Sequence, residues 1–501
     1  MTATAESGIA IDPRVQAFLT RQHGLFVDGA TIDAKGAGRI EVFNPATGEV
    51  VATVACASAE DVDRAVASAK AAFESGIWST LPPAERERIL LKFADLVEAN
   101  GEELAQLETI NQGKSINIAH MLDVGASLGY MRYYAGLATK ITGQTLDVSI
   151  PMPAGTKYTA FTRREPVGVV AAISPWNFPM MIGLWKVMPA LAAGCTVVLK
   201  PSEVTPLTSL RLAELAIEAG IPAGAFNLVT GDGTTGAALV SHPDVAKVTF
   251  TGSTATGKAI ARIAADRLLK TSLELGGKNP AIFLKDAPLE QAVGGALMGG
   301  FLNNGQVCAA ASRLYVAREI FDDFVGALSQ AVSGMSIGPG LDPASQITPV
   351  VSAVHRDKII GHIDEARRAG ARVIAGGDMP NRPGYYVRPT VIVDTTNDMA
   401  ICRQEVFGPV VTVMPFSDEE EAIRYANDTD MGLTASLWTN DLSKTMNIVP
   451  RLKAGTVWVN SHNMIDPNMP FGGYKESGVG RDFGTGALDS YTELKSVCIA
   501  H

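Results

Sequence analysis

Cysteine is scarce in this 501-residue chain: there are five, Cys56, Cys195, Cys308, Cys402 and Cys498, scattered and without a CxxC pair. That excludes a disulfide framework or a zinc knuckle and points to a reducing compartment. Histidine is also sparse, seven residues with no HExxH or paired spacing, so no metal site is expected. Positive charge is in deficit, 42 Lys and Arg against 52 Asp and Glu for a net −10, which argues against a nucleic-acid partner. The N-terminal MTATAESGIAIDPRVQ has neither the basic nor the apolar region of a secretory leader. Uninterrupted apolar runs of membrane-spanning length are missing too. Pro166 to Trp185 carries no charge, but Pro166, Pro175 and Pro179 break it, with Ser174 and Asn177 between. It reads as a buried strand entering a loop and a helix. The expected address is the cytoplasm, with no membrane partner.

What is present is the composition of a soluble globular protein, 47% hydrophobic and 19% charged, long enough for two or three domains. Helical periodicity runs over Ala59 to Glu74 and Pro83 to Leu107. Short β-branched runs then alternate with turns and helical patterns: Val167 to Ile173, Thr196 to Lys200, Phe226 to Thr230 and Lys247 to Phe250. Continuous apolar strands between helices predict a parallel sheet covered on both faces, with ligands at the carboxyl ends of its strands. A second series, Ala281 to Leu284, Arg313 to Val316, Ala371 to Ile374 and Val410 to Val413, predicts a second α/β domain. Gly143 to Thr162 and the C-terminal Ser496 to Ile499 read as exposed strands able to add to a partner's sheet.

Several turns could carry chemistry. Gly231 to Gly236 fits GxGxxG, but no acid follows about 20 residues on, and a plain turn is the better reading. Phe250-Thr251-Gly252-Ser253-Thr254-Ala255-Thr256-Gly257-Lys258 joins strand to helix. Its small residues, Gly252 and Gly257 among them, would let a phosphate reach a helix N-terminus; a tight βα turn is the alternative. Lys200-Pro201-Ser202-Glu203 sets a cation and a carboxylate at a strand end. A carboxylate there accepts the ribose hydroxyls of NAD and repels the 2′-phosphate of NADP; an exposed helix start capped by Ser202 is the alternative. Glu274 sits among leucines before a Gly-Gly break, where an apolar setting suits a general base; a glutamate paired with a lysine is the alternative. Asn177 lies between prolines in a rigid loop and could donate to an oxyanion; a plain turn asparagine is the commoner alternative. Cys308, in NNGQVCAAAS, has small neighbours that suit a nucleophile.

The ordered set PWNFP, KPSE, FTGSTATGK, LELGGKNP, GQVC, EVFGPV and PFGGYKESGVGR resembles the NAD(P)-dependent aldehyde dehydrogenases over nearly the whole chain. RQHGLFVDG, ELAQLETINQGKSI, MRYYAGLATKITGQTLD and NSHNMIDPNMPFGG are similar to the phenylacetaldehyde-oxidising branch of bacterial aromatic catabolism, as in styrene or phenylethylamine degradation.

The resemblance implies a fold of two Rossmann-like parallel-sheet α/β domains plus a small β oligomerisation element. Residues 1–142 and 166–276 would bind NAD, 277–484 would carry catalysis, and 143–165 with 485–501 would assemble a homotetramer (a dimer of dimers) or a homodimer. Cys308 matches the nucleophile, Asn177 with the Cys308 backbone N–H the oxyanion hole, and Glu274 the base that hydrolyses the thioester. Trp176, Lys200, Glu203, Ser253, Gly252 and Gly257 match dinucleotide contacts, and Glu405 and Phe407 the nicotinamide end. Lys186 and Asp482 match an accessory proton route, although related chains often carry Glu at the latter. FTGSTATGK lacks the acid often found two residues after Ser253. Phe178, Ile182, Trp185, Val307, Ile465 and Phe471 match the substrate tunnel, which suits a neutral aryl or alkyl aldehyde; a core role fits them equally, and a betaine-type aldehyde stays open. A cofactor-independent cysteine esterase and a non-catalytic scaffold are the readings from other classes.

Overall fold

The computed structural model describes residues 9–36 and 38–501. Residues 1–8, part of the stretch used above to argue against a leader, and Ala37 lie outside the described residues. The β-branched runs form a sheet whose central strands are parallel, in the order Phe226–Leu228, Thr196–Lys200, Val169–Ile173, Val245–Thr251, Lys270–Glu274. The strand order reverses between Val169–Ile173 and Val245–Thr251, so a ligand crevice opens at their carboxyl ends. The charge-free run resolves as read: strand Val169–Ile173, a loop, then helix Pro179–Ala193.

Alternation along the last two strands separates their faces. Val248, Phe250, Leu273 and Leu275 join one apolar cluster. Lys247, Thr249, Thr251, Ser272 and Glu274, all buried, fall on the other face, over which helix Pro179–Ala193 packs.

The second sheet holds six parallel strands in the order Thr390–Val393, Val410–Phe416, Ala311–Ala317, Asn279–Phe283, Thr434–Trp438, Thr456–Val459. Neither sheet is purely parallel. Arg372–Ala375, expected within the parallel series, runs antiparallel at the edge of the second sheet. Leu25–Val27 and Gly478–Val479 pair antiparallel with the two outer strands of the first. The second of these comes from the C-terminal part of the chain and ties it back to the first sheet. A third sheet joins Thr145–Leu146, Tyr158–Pro166 and Thr492–Ala500, the last leaving a mostly exposed outer edge.

The helical pattern over Pro83 to Leu107 is two helices, Pro83–Ala99 and Gly101–Gln112, broken where Asn100 leaves helical geometry. Periodicity alone misses this because the apolar stripe continues across the break. Among the described residues no helix is long and apolar enough to cross a membrane. The GxGxxG turn is a capped helix start: Asp232 Oδ1 accepts from the N–H of Thr234 at 2.8 Å and of Thr235 at 3.3 Å. Asp232→Ala is expected to lower stability by about 1 kcal/mol through loss of this cap, read as a lower thermal midpoint; an unchanged midpoint contradicts the capping account.

Candidate active site

Cys308 stands between the turn Leu302–Gly305 and strand Ala311–Ala317. The approach is left-handed three times in a row, with φ of 48° at Asn303, 57° at Asn304 and 69° at Gly305. Asparagine tolerates that region and glycine favours it. Gly305 has a second reason: a Cβ there would sit 2.1 Å from the Gly408 carbonyl oxygen. Asn304 closes a reciprocal pair with Thr348, donating to Oγ1 at 3.0 Å and accepting from its N–H at 2.9 Å.

Carbonyls after the cysteine are held as well. Asn279 Nδ2 donates to the carbonyls of Cys308 at 2.8 Å and Ala310 at 3.0 Å. His462 Nε2 lies 2.8 Å from the Ala309 carbonyl; a carbonyl only accepts, so this nitrogen carries the hydrogen. Burial keeps His462 neutral by lowering its pKa to about 4. Sequence reasoning missed Asn279 and His462 although both lie inside motifs it quoted. Their partners are backbone carbonyls, which leave no mark in the sequence.

Asn177 joins the two sheets at this point. Its Nδ2 donates to the Gln306 carbonyl at 3.0 Å, and Asn303 Nδ2 donates back to the Asn177 carbonyl at 3.0 Å. One amide N–H of Asn177 remains for a ligand, and both Asn177 and Cys308 line a cavity of about 230 Å³. Burial pushes the Cys308 thiol up to about 12; the Glu405 and Glu274 carboxylates add to this, and the backbone N–H groups of Ala309 and Cys308 oppose it. The resting group is therefore the thiol.

Glu274 ends its strand fully enclosed, with neither carboxylate oxygen hydrogen-bonded among the described residues. Burial raises its pKa well above the usual range, Asp482 raises it further, and Lys186 and Arg481 oppose. Asp482 makes a direct contact: Lys186 Nζ donates to Asp482 Oδ2 at 2.5 Å, both buried.

The cavity at Cys308 continues into a cleft of about 420 Å³, sharing Pro175, Trp176, Thr251, Gly252 and Ser253 with it. Lys200 and Glu203 line the far half, 3.8 Å apart. Ser202 does not cap a helix there; the next helix starts at Leu207 after Pro206. Ser253 caps helix Thr254–Arg267 by accepting from the Thr256 N–H at 3.2 Å. Gly252 leaves room for the Phe250 ring, 2.5 Å from where a Cβ would stand. Gly257 does not line the cleft: it is buried, and a Cβ there would meet Leu275 at 2.4 Å. Conversely Gly233 and Gly236, set aside as a plain turn, do line it.

At the Cys308 end stand Glu405, Phe407, His355 and Lys358. Glu405 accepts from the Gly277 N–H at 3.1 Å, and burial raises its pKa to about 7. Phe407 adopts φ of 57°, with its ring edge-on to Trp176 at 5.1 Å and its carbonyl 2.7 Å from His355 Nε2. A bulky residue held at positive φ marks a place where the surroundings fix the backbone. His355 and Lys358 were not read from the sequence, since single polar residues on a helix carry no signal.

The tunnel candidates form one packed group. Phe178, Ile182, Trp185 and Phe471 are buried in a single apolar cluster, and Val307, Ile465 and Cys308 pack against it half-buried. A thiol thus lies between an apolar cluster and a cleft at a sheet's switch point. Residues 32–497 match the model of the aldehyde dehydrogenase family. The chain belongs to that family. It is 50% identical over 96% of both chains to a phenylacetaldehyde dehydrogenase from Pseudomonas fluorescens. It is also 42% identical to a betaine aldehyde dehydrogenase from Sinorhizobium fredii, over 95% of this chain and 96% of that one. An NAD+ complex of an aldehyde dehydrogenase from Bacillus cereus superposes with a TM-score of 0.95 at 45% identity, covering 99% of each chain.

In this aldehyde dehydrogenase a thiol raised to about 12 should alkylate slowly. With iodoacetamide and no cofactor, labelling of the Cys308 peptide is expected to rise about tenfold per pH unit with no plateau below about pH 10. Mass spectrometry reads the labelling; a plateau near neutral pH contradicts a resting thiol.

Proposed function

We propose that the enzyme oxidises phenylacetaldehyde to phenylacetate with NAD as electron acceptor. The observation that carries the substrate is the apolar cluster of Phe178, Ile182, Trp185 and Phe471 with Cys308 at its rim; the name of the Pseudomonas fluorescens relative agrees with it. A betaine-type substrate would find one face of the Phe178 ring already taken: the Lys114 ammonium lies 4.1 Å from its centre and is paired with Asp123 at 2.8 Å.

A dinucleotide fits the cleft. It runs unbroken from Glu203 to Cys308, opens on the N-terminus of the helix capped by Ser253, and has no Cβ at Gly252. Lys200 and Glu203 would hold the adenosine ribose, Ser253, Gly252 and Trp176 the diphosphate region, and Glu405 and Phe407 the nicotinamide end. Gly257 would serve by closing the helix onto Leu275. When bound, the nicotinamide takes up the hydrogen and two electrons released from the aldehyde carbon.

The chain's own groups do the rest. Cys308 loses its proton to a neighbouring carboxylate, Glu405 or Glu274, the groups close enough to oppose its ionisation, and Sγ bonds to the carbonyl carbon. The free Asn177 N–H and the Cys308 backbone N–H stabilise the oxyanion. Oxidation leaves an acyl thioester on Sγ. Glu274, with unpartnered oxygens, removes a proton from water, the water oxygen bonds to the acyl carbon, and the C–S bond breaks. Lys186 and Asp482 carry protons to and from Glu274.

We assign residues 1–142 and 166–276 to nucleotide binding, 277–484 to thiol chemistry, and 143–165 with 485–501 to assembly. The open edge of Thr492–Ala500 supports pairing with another copy in a homodimer or homotetramer.

A panel of aldehydes with NAD tests the substrate. NADH formation from phenylacetaldehyde is expected, with kcat/KM at least about tenfold above that for betaine aldehyde; the reverse order would overturn the substrate. Cys308→Ser should abolish it. Turnover of an activated ester at full rate without nucleotide would favour a cysteine hydrolase. For the cofactor, NAD should exceed NADP in kcat/KM, and Glu203→Ala should narrow that ratio; NADP preference in the parent enzyme would refute the carboxylate argument.

A further inference from the structure

Three ionisable groups without a part in the chemistry above lie together behind the Asn177 turn. Glu108, Lys114 and Asp123 are fully enclosed. Lys114 Nζ donates to Asp123 Oδ1 at 2.9 Å and Oδ2 at 2.8 Å, and to Glu108 Oε1 at 3.4 Å. Charges buried so completely are costly to desolvate, and an apolar filling of the same volume often serves a fold as well. Asp123 comes from an eight-residue π-helical stretch, Ala119–Ala126, a conformation found mostly at functional sites. The group therefore calls for a role.

Its contacts converge on one place. The Lys114 ammonium lies 4.1 Å from the centre of the Phe178 ring, where a cation and a ring face attract. Phe178 directly follows Asn177 and precedes helix Pro179–Ala193; its side chain gives that helix no cap, and Pro179 has no N–H. Glu108 supplies what is missing. Its Oε1 accepts from the Met180 N–H, the first that the helix offers, at 3.4 Å. A carboxylate there satisfies an orphan donor and is favoured by the helix dipole. The Glu108 carboxylate is itself held, since Oε2 accepts from Thr208 Oγ1 at 2.6 Å.

Asn177 is thus gripped from two sides. Toward the cysteine it has its two amide bonds with Gln306 and Asn303. On the other side the next residue's ring and the helix start are pinned by Lys114 and Glu108. We propose that Lys114, with Glu108, is a positioning residue for oxyanion stabilisation: it fixes Phe178 and Met180, and through them the direction in which the free Asn177 N–H points. The inference rests on the reading of Asn177 as oxyanion donor. In this role Lys114 passes no proton and touches no reacting atom. The effect can still be large, because a displacement of about 1 Å at a catalytic group costs up to about 100-fold in rate.

The single-turnover rate of NADH formation, with enzyme in excess over the best substrate of the aldehyde panel, tests this. Lys114→Met should slow it at least about tenfold, and Asn177→Ala about 100-fold or more. In the Asn177→Ala enzyme, adding Lys114→Met should cost less than about twofold, because no donor remains to be positioned. A merely structural role for Lys114 would slow both backgrounds alike, and that result overturns the proposal, as does a Lys114→Met enzyme with the parent rate. If Lys114→Met does not fold, Glu108→Ala replaces it, because it leaves Lys114 and Asp123 as a balanced pair. Several-fold slowing in the parent and none in the Asn177→Ala enzyme is expected; an unchanged rate, or equal slowing in both, overturns the idea. Asn177→Ala alone tells the two failures apart. A parent rate in that variant removes the oxyanion reading; a slow Asn177→Ala enzyme beside a normal Lys114→Met enzyme removes only the role of Lys114.

Discussion

Two amide hydrogen bonds between the Asn177 turn and the cysteine turn hold the site together. Asn177 donates to Gln306, and Asn303 donates to the Asn177 carbonyl, each at 3.0 Å. One turn follows the first sheet's central strand; the other precedes a central strand of the second. The bonds thus set the distance between the nucleotide cleft and the thiol. They exist because Asn303 and Asn304 accept positive φ and because Gly305 lets the backbone approach Gly408. The Gly408 loop also carries Glu405 and Phe407, so the same contact places the Cys308 end of the cleft.

Burial decides the electrostatics. Cys308, Glu274 and Glu405 would each be anionic in water at high enough pH, and each is pushed toward its neutral form by desolvation first. Clustered anions in a low-dielectric site reinforce the effect. Cys308 therefore rests as the thiol, while Glu405, at about 7, still titrates near neutrality.

Much of the architecture was legible because its signals are local. β-branched runs between helical patterns placed the strands along the chain, and PWNFP, GQVC and LELGGKNP marked turns at strand ends. The antiparallel edges were not legible: Arg372–Ala375 has the same composition as a parallel strand, and direction depends on the connection, not the residues. Glycines misled in both directions. Gly257 looked like a phosphate contact and makes room for Leu275, whereas Gly233 and Gly236 looked idle and line the cleft. A missing Cβ says that something comes close without saying what.

By itself the sequence determined the residue types of the site, the family they belong to, and the turns that carry them, since capping, chain direction reversal and left-handed backbone are properties of neighbouring residues. Tertiary structure alone decided which of them meet. Asn177 and Gln306 stand 129 residues apart, Lys186 and Asp482 296 apart, and Asn279 and His462 were silent until packing placed them. Long-range contact, and the desolvation that comes with it, shifts proton affinities by several units, and no local pattern of residues encodes it.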